Sequence, residues 1–490
     1  MIAMNRSRVF VGLFWSFVDR GGDQALRLLI SIVLARKVLP EAFGLIAMVN
    51  VVFEIAQRIV DGGFGLALIN KHNHDKKDEC TVFYFNIIMA AACSFALLIV
   101  SPLIAAFYRR PELELILKVM SASFFVSSFS TIPTVLIMKK MDFKRQALIN
   151  MGTTIASGSL AIGLALFGFG VWSLVIQLMA RSIIVCILLW TFYPWRPSLV
   201  FDFGALRALW KYGSHMFASS AVTILFGNIY NIIIGRFYSA DALAYFWRGN
   251  QLQQVPNSAI WATVGRVSFP AFSFLKNDRS KALYSFRKAF CLLSFSTIPM
   301  MLIAAACSRN LIFILYSEKW LPSVVYFKIL CFSGAFVLLD NLINNAVAAG
   351  AGRSGIYLLM NVLQKCLLIL SIVISFQYGI IFMTIAFSIT MIICFLVDYI
   401  LFCKVFAVRI LSEISSIAPY VIFGIAAFSA SSLIGHYIIV SAVGVLVLQC
   451  ACGILTYAVL NAAFHTKGWI EARELLWPKV LSAIKYRKAP

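Results

Sequence analysis

Runs of about 20 apolar residues recur along the whole chain, separated by short polar turns, which is the pattern of helices that cross a bilayer. About fourteen such windows can be laid out. They centre near residues 24, 55, 94, 126, 156, 182, 221, 254, 296, 335, 365, 392, 424 and 451. Gln251, Gln253, Gln254 and Pro256 break the window near 254, and the turn after Gly168 and Gly170 is short, so about twelve is the lower count. The expected fold class is an all-α polytopic membrane protein.

The first two windows carry charge where a lipid-facing helix has none. Arg20, Asp23 and Arg27 interrupt the run from Val9 to Leu39, and Glu54, Gln57, Arg58 and Asp61 interrupt the run from Phe43 to Ile69. Spacings of three, four and seven set each group on one helical stripe. A charged side chain costs roughly 2.5 to 3.5 kcal/mol at a bilayer centre on insertion scales, so the stripes either line a wet cavity or pair with each other. In the pairing alternative, Arg20, Asp23, Glu54 and Arg58 hold the two helices together.

Other spans contribute Asn228 and Asn231, then Arg248, Asn250, Gln251 and Gln254, and also Arg181, Arg266, Lys365, and Asp340 with Asn344 and Asn345. A basic cavity suits an anionic headgroup, particularly a diphosphate, because a guanidinium gives forked hydrogen bonds where screening is weak. For Arg181, Arg266 and Lys365 the competing role is to snorkel to an interface. For the amides it is helix-to-helix hydrogen bonding.

Composition narrows the class. At 490 residues, 61% hydrophobic and 13% charged, the chain is too apolar to be soluble and its loops are too short to hold a separate catalytic domain. The net charge of +22 falls mostly in alternate loops and the termini, which places both termini in the cytoplasm and makes nucleic acid an unneeded explanation. Eleven cysteines lie scattered in apolar runs without a CxxC, so neither a disulfide framework nor a zinc site is expected. Arg6 and Arg8 lead into a segment holding Asp19 and Arg20, which is not the composition of a cleavable signal.

Chemistry-bearing motifs fail one by one. Gly350, Gly352 and Gly355 spell GxGxxG between two apolar spans and read as a turn, and no GxxxxGK[ST] is present. His72 and His74 have no third ligand nearby. No catalytic residue, metal or cofactor is expected. A membrane-embedded glycan polymerase is disfavoured because such enzymes want a long outer loop.

The chain also repeats itself. IVLARKVLPEAFGL from Ile32 aligns with IIIGRFYSADALAY from Ile232, which matches Arg36 to Arg236 and Glu41 to Asp241 at an offset of 200. SPLIAAFY ending at Tyr108 matches SRNLIFILY ending at Tyr316. Two parallel halves follow, with the substrate site expected between them near the midplane. The expected organisation is a six-helix lobe over 1–200, a second over 201–410, two additional spans over 411–466, and a basic tail over 467–490 suited to anionic lipid.

The segment from Leu34 to Lys71, LIMKKMDF from Leu136, YSADALAYFWRGNQLQQVPNSAIWATVGRVSFPAF from Tyr238 and YSEKW from Tyr316 resemble the bacterial oligosaccharide flippases. These belong to the multidrug/oligosaccharidyl-lipid/polysaccharide exporter superfamily, and the likeness is to the colanic-acid-type exporters. The resemblance implies two lobes around a cavity that opens alternately to each side, with undecaprenyl-diphosphate-linked oligosaccharide as cargo moved to the outer leaflet of the bacterial cytoplasmic membrane. Membrane lipids, glycosyltransferases and a polysaccharide polymerase are the implied partners. On that reading Arg20, Arg27, Arg58 and Arg248 hold phosphate or acidic sugar, with Gln251, Gln254 and Asn228 beside them. Asp23, Glu54 and Asp61 orient the arginines or carry a coupling proton. A cation-coupled multidrug exporter of the same superfamily is the alternative. The family tends to have GLG or GIG after the second-span aspartate; here Gly62, Gly63, Phe64 and Gly65 follow Asp61.

Overall fold

The computed structural model describes residues 15, 18–70, 75–140, 142–204, 206–207, 220–275, 278–437 and 441–474. Lys71, His72, His74 and the tail from residue 475 lie outside the described residues, as do the side chains of Arg20 and Arg266.

Apolar windows become helices whose starts are written locally. Pro40 opens α2 (Pro40–Asp61), where its missing N–H costs nothing. At α4 (Lys76–Tyr108) the side chains of Asp75 and Asp78 each accept the other's backbone N–H, a reciprocal cap. Asp142 accepts from Arg145 N at 3.2 Å to start α6 (Phe143–Leu166), and Asp278 accepts from Lys281 N at 3.0 Å to start α10 (Arg279–Ala306). Gly62 and Gly63, at φ 53° and 74°, end α2 directly after Asp61; the backbone there needs a residue without Cβ, and helix resumes as α3 (Phe64–Asn70).

The remaining helices are α1 (Asp23–Lys37), α5 (Glu112–Lys139), α7 (Val171–Phe192), α8 (Ile229–Phe237), α9 (Ala240–Phe274), α11 (Ser308–Tyr316), α12 (Ser323–Asn345), α13 (Ser354–Ser375), α14 (Ile380–Val405), α15 (Ile410–Tyr437) and α16 (Ala442–Ala463). Gly352, at φ 63°, turns the chain between α12 and α13, so the GxGxxG stretch is a helix connection.

Eleven helices among the described residues are long and apolar enough to cross a membrane, or twelve when Ser220–Gly227 and α8, which meet at 43°, count as one span. The windows near 24 and 254, now α1 and α9, are not in that set. α1, at 15 residues, is too short as a helix to cross by itself, and the polar residues of α9 lower its hydropathy.

The helices sort into two compact units, Met1–Ala244 and Tyr245–Pro490. In unit 1, α4 packs on α5, α5 on α7 and α6 on α7. In unit 2, the repeat counterparts do the same: α10 on α12, α12 on α14 and α13 on α14. The correspondence reaches backbone detail. α1 and α8 both end two residues before the next helix through an extended residue, Val38 and Tyr238. Tyr108 and Tyr316, both buried, are each followed by a non-glycine residue at positive φ, Arg109 at 54° and Ser317 at 77°.

One element departs from the repeat. α1 packs on α6, whereas α8 packs on α2 and α4. The two C-terminal helices dock on α10, where Tyr457 OH donates to Phe295 O at 2.9 Å; Ser431 Oγ donates to Gln449 O at 2.9 Å between α15 and α16, and Asn310 Nδ2 of α11 donates to Gln449 Oε1 at 2.8 Å.

Candidate functional site

Three helices contrast with the most apolar ones in what they expose. On α4, α13 and α16 the outward residues are large and apolar, among them Ile88, Phe95, Leu103, Leu358, Ile374 and Leu455. On α1, α2 and α9 the exposed positions include Gln24, Arg27, Glu54, Arg58, Gln251 and Gln254. Hydrocarbon offers these groups no hydrogen bonds, so the faces that carry them look into water or ligand.

In unit 1 the polar face is organised around Asp23. Arg27 Nε donates to Asp23 Oδ2 at 2.7 Å, one helical turn apart. Thr154 Oγ1, on α6, donates to Asp23 Oδ1, and Arg181 Nη1, on α7, donates to Thr154 Oγ1 at 3.4 Å. Asp23 is thus held from two sides and its side chain is 14% exposed, while that of Arg27 is 44% exposed. Arg27 spends only Nε on the protein among the described residues, so both Nη groups stay available as a fork. A second anchor fixes the preceding π-helical turn, Val18–Gly22, where Asn150 Nδ2 donates to Asp19 Oδ1 at 2.9 Å.

On α2 the polar stripe is held by amides. Asn228 Nδ2 donates to Glu54 Oε2 at 2.9 Å, and Asn231 Nδ2 donates to Asn228 Oδ1 at 3.1 Å. Gln57 Nε2 donates to Asp61 Oδ1 at 3.2 Å and Gln57 Oε1 accepts from Ser127 Oγ at 3.3 Å. Arg58 is exposed one turn beyond Glu54; it interacts electrostatically with Asp61 but has no carboxylate oxygen at ion-pair distance among the described residues. Of the three carboxylates named from sequence, Asp23 therefore grips an arginine, whereas Glu54 and Asp61 grip Asn228 and Gln57. Among the described residues no ion pair joins α1 to α2; the pairing that exists here is within α1.

Unit 2 places its polar residues differently. Arg248 is 1% exposed and sits in an aromatic cage, its guanidinium carbon 4.9 Å from the ring centroids of both Tyr316 and Trp320 and 5.7 Å from that of Trp247. Toward the open face of α9, Gln251 Oε1 accepts from Arg248 Nη1 at 3.1 Å. Arg248 is thus inside the packing and not on the lining, because a guanidinium packs flat on aromatic faces.

The glutamines of α9 divide by face. Gln251 and Gln254 are exposed, and Gln254 Nε2 donates to Asn250 Oδ1 at 3.2 Å. Gln253 and Asn257, each 6% exposed, point into the unit, where Asn257 Nδ2 donates to Gly334 O at 3.0 Å.

A further cluster lies inside unit 2. Asn344 Nδ2 donates to Asp340 Oδ2 at 3.4 Å and to Asp398 Oδ2 at 3.3 Å, bridging two carboxylates from α12 and α14. Asn345 Nδ2 donates to Ser268 Oγ at 3.0 Å, and Lys365 on α13 is partly buried.

Asp398 and Thr154 are the residues that sequence reading missed. Asp398 carried a usable signal, a lone carboxylate in an otherwise apolar span. Thr154 carried none, since a threonine in a span most often bonds its own helix.

The model of a family described as polysaccharide biosynthesis protein matches residues 33–325. The teichuronic acid biosynthesis protein TuaB of Bacillus subtilis is 28% identical over 302 residues, 61% of this chain and 62% of that protein. The succinoglycan biosynthesis transport protein ExoT of Rhizobium meliloti is 23% identical over 65% of this chain and 64% of its own length. The chain thus spans less than two thirds of the length of these two relatives. The lipopolysaccharide biosynthesis protein WzxC of Escherichia coli is 24% identical over 402 residues, 81% of this chain and 82% of that one. Among solved structures, the lipid II flippase MurJ in an inward closed conformation superposes with a TM-score of 0.75 at 15% identity, covering 92% of this chain and 99% of that chain. An inward-facing multidrug resistance MATE family transporter gives 0.58 at 16% identity, over 78% and 95%. The fold is thus that shared by MurJ and the MATE transporters, and the chain belongs to the polysaccharide biosynthesis protein family.

Proposed function

We propose that the protein moves a lipid-linked oligosaccharide, borne on a polyprenyl diphosphate such as undecaprenyl diphosphate, from the inner to the outer leaflet of the bacterial cytoplasmic membrane by alternating access. The observation that carries this reading is the exposed guanidinium of Arg27 on α1, oriented through Nε by Asp23, with both Nη groups open among the described residues. Arg58, exposed on α2, adds a second cation of the same kind. Forked donors in a poorly screened space favour phosphate oxygens over a cationic cargo.

On this reading α1 and α9 also span the membrane, which gives fourteen crossings and both termini in the cytoplasm. The two six-helix lobes cover 1–200 and 201–410, followed by two additional helices. Gln251, Gln254 and Asn228 contribute neutral hydrogen bonds to sugar or phosphate, and Arg20 extends the α1 stripe. Asp23, Glu54 and Asp61 hold the surrounding donors in place and are where a coupling proton would bind. Glycosyltransferases supply the cargo and a separate polymerase consumes it.

The energy source follows from charge. A diphosphate linkage carries about two negative charges, and each is worth roughly 2.3 kcal/mol per 100 mV, so passage out of an inside-negative membrane gains about 4 to 5 kcal/mol. In proteoliposomes loaded with polyprenyl-diphosphate oligosaccharide, flipping should respond to an imposed potential without any pH or sodium gradient. Transport that ignores the potential and stops when the pH gradient is removed overturns this reading and moves Asp23, Glu54 and Asp61 to the centre of the mechanism.

A further inference from the structure

A groove of about 500 Å³ runs along unit 1 between the start of α6 and the end of α7. Its walls are Leu148, Ile149, Gly152, Leu188 and Phe192, with Lys144 and Arg145 at the mouth. Nothing in the transport cycle uses it. Leu148 and Phe192 are 57% and 59% exposed on helices that cross the membrane, so the trough opens toward lipid and not toward the polar faces of α1 and α2. Gly152 keeps it open: a Cβ there would meet only Leu188 Cδ1, at 3.8 Å.

The mouth is cationic. Asp142 is already engaged, capping α6 through Arg145 N at 3.2 Å and lying 3.5 Å from Arg145 Nε. The groove lining therefore carries two cations and one carboxylate; Lys140, whose Nζ lies 5.3 Å from the same Tyr193 ring that Arg145 faces, adds a further positive charge beside it, as does the N-terminal dipole of α6. Lys144 is exposed with its Nζ 5.6 Å above the Trp15 ring, and the Arg145 guanidinium lies 6.0 Å from the ring of the buried Tyr193. From Arg145 to Gly152 is seven residues, roughly 10 Å along a helix, enough for the upper part of an acyl chain below a headgroup.

The geometry points to a bound anionic phospholipid, its phosphodiester between Lys144 and Arg145 and an acyl chain laid over Gly152. Basic pockets between membrane helices that open on an apolar trough have this chemistry. A phosphodiester on the cationic rim with an acyl chain in the apolar trough is the make-up of a bulk-membrane lipid, and competition with a polyprenyl diphosphate separates that occupant from the cargo. The site does not rest on the transport reading.

Native mass spectrometry of the full-length protein in detergent, with phosphatidylglycerol or phosphatidylcholine added, tests this. The native protein should retain one phosphatidylglycerol and little phosphatidylcholine. Lys144→Gln with Arg145→Gln should weaken retention about tenfold or more. Gly152→Leu, which fills the trough and leaves every charge in place, should abolish retention; Leu148→Trp, at an exposed position that tolerates bulk, does the same should the first variant fail to accumulate. Equal retention of both lipids, or retention that survives both fillers, overturns the proposal in favour of surface electrostatics alone. Displacement of phosphatidylglycerol by equimolar polyprenyl diphosphate overturns the assignment to bulk lipid.

Discussion

The two units share a repeat and a packing plan, yet they dispose of their arginines in opposite ways. In unit 1, Arg27 and Arg58 stand on exposed helix faces, and one carboxylate with a threonine behind it keeps the Arg27 guanidinium aimed outward. In unit 2, Arg248 is enclosed by Tyr316, Trp320 and Trp247 and hydrogen-bonds to Gln251 on the exposed face. The carboxylates reverse as well: Asp23 and Glu54 sit on the polar face of unit 1, whereas Asp398 is 3% exposed and bridged to Asp340 by Asn344. A repeat conserves how helices pack because buried apolar contacts set that. It leaves free which polar groups are turned outward: Arg27 and Arg58 are presented in one unit, and Arg248 is enclosed in the other.

Substitutions at the arginines should give the largest separation. Arg27→Ala and Arg58→Ala should each cut glycan export to below about a tenth with the protein present in the membrane at its normal level, and Lys should restore only part because it lacks the fork. Surface glycan and an immunoblot of membranes measure the two quantities. If both fall together in every variant, the exposed arginines are structural and the contrast with Arg248 disappears.

Arg248→Ala should do the converse and lower stability, by roughly 2 kcal/mol or more, because a desolvated cation–π cage and its packing are lost. Thermal melting of the purified protein reads this directly. An Arg248→Ala protein that melts normally but exports nothing would mean that the cage opens during transport and that Arg248 touches cargo.

A smaller effect is expected behind α9. A Cβ at Gly334 would lie 1.9 Å from Gln253 Nε2, so Gly334→Val forces that side chain aside and should cost about 1 to 3 kcal/mol. Pairing it with Gln253→Ala should return most of the loss; failure of that rescue would show that the glutamine is not what fills the space.

The mildest change is Glu54→Gln, which keeps an acceptor for Asn228 and removes only charge on an exposed face. Export should stay within about twofold, in line with the few tenths of a kcal/mol typical of exposed charges. Loss of export with normal protein level would assign the Glu54 charge itself to the mechanism.

Much of this was legible from residue order. Helix existence followed from the length of apolar runs, and caps at Asp75, Asp142 and Asp278 follow from local hydrogen bonding that needs no tertiary contact. The repeat was visible because the same helix-break-helix joint at Lys37 to Pro40 and Phe237 to Ala240 demands similar residues each time. The glutamines of α9 mark where legibility stops. Gln251, Gln253 and Gln254 look alike in the sequence, but Gln253 is buried beside Gly334 while its neighbours face outward.

What the sequence determined alone is therefore the part governed by transfer between water and hydrocarbon: a multi-pass helical protein, built twice over, with an excess of positive charge that must be placed somewhere. Tertiary structure decided where. Whether an arginine presents its fork or lies in an aromatic cage depends on side chains dozens of residues away, as Asp23 depends on Thr154 of α6 and Arg248 on Tyr316 of α11. Helical periodicity assigns a residue to a face of its own helix; only the neighbours packed against that face decide whether it meets water, lipid or another side chain.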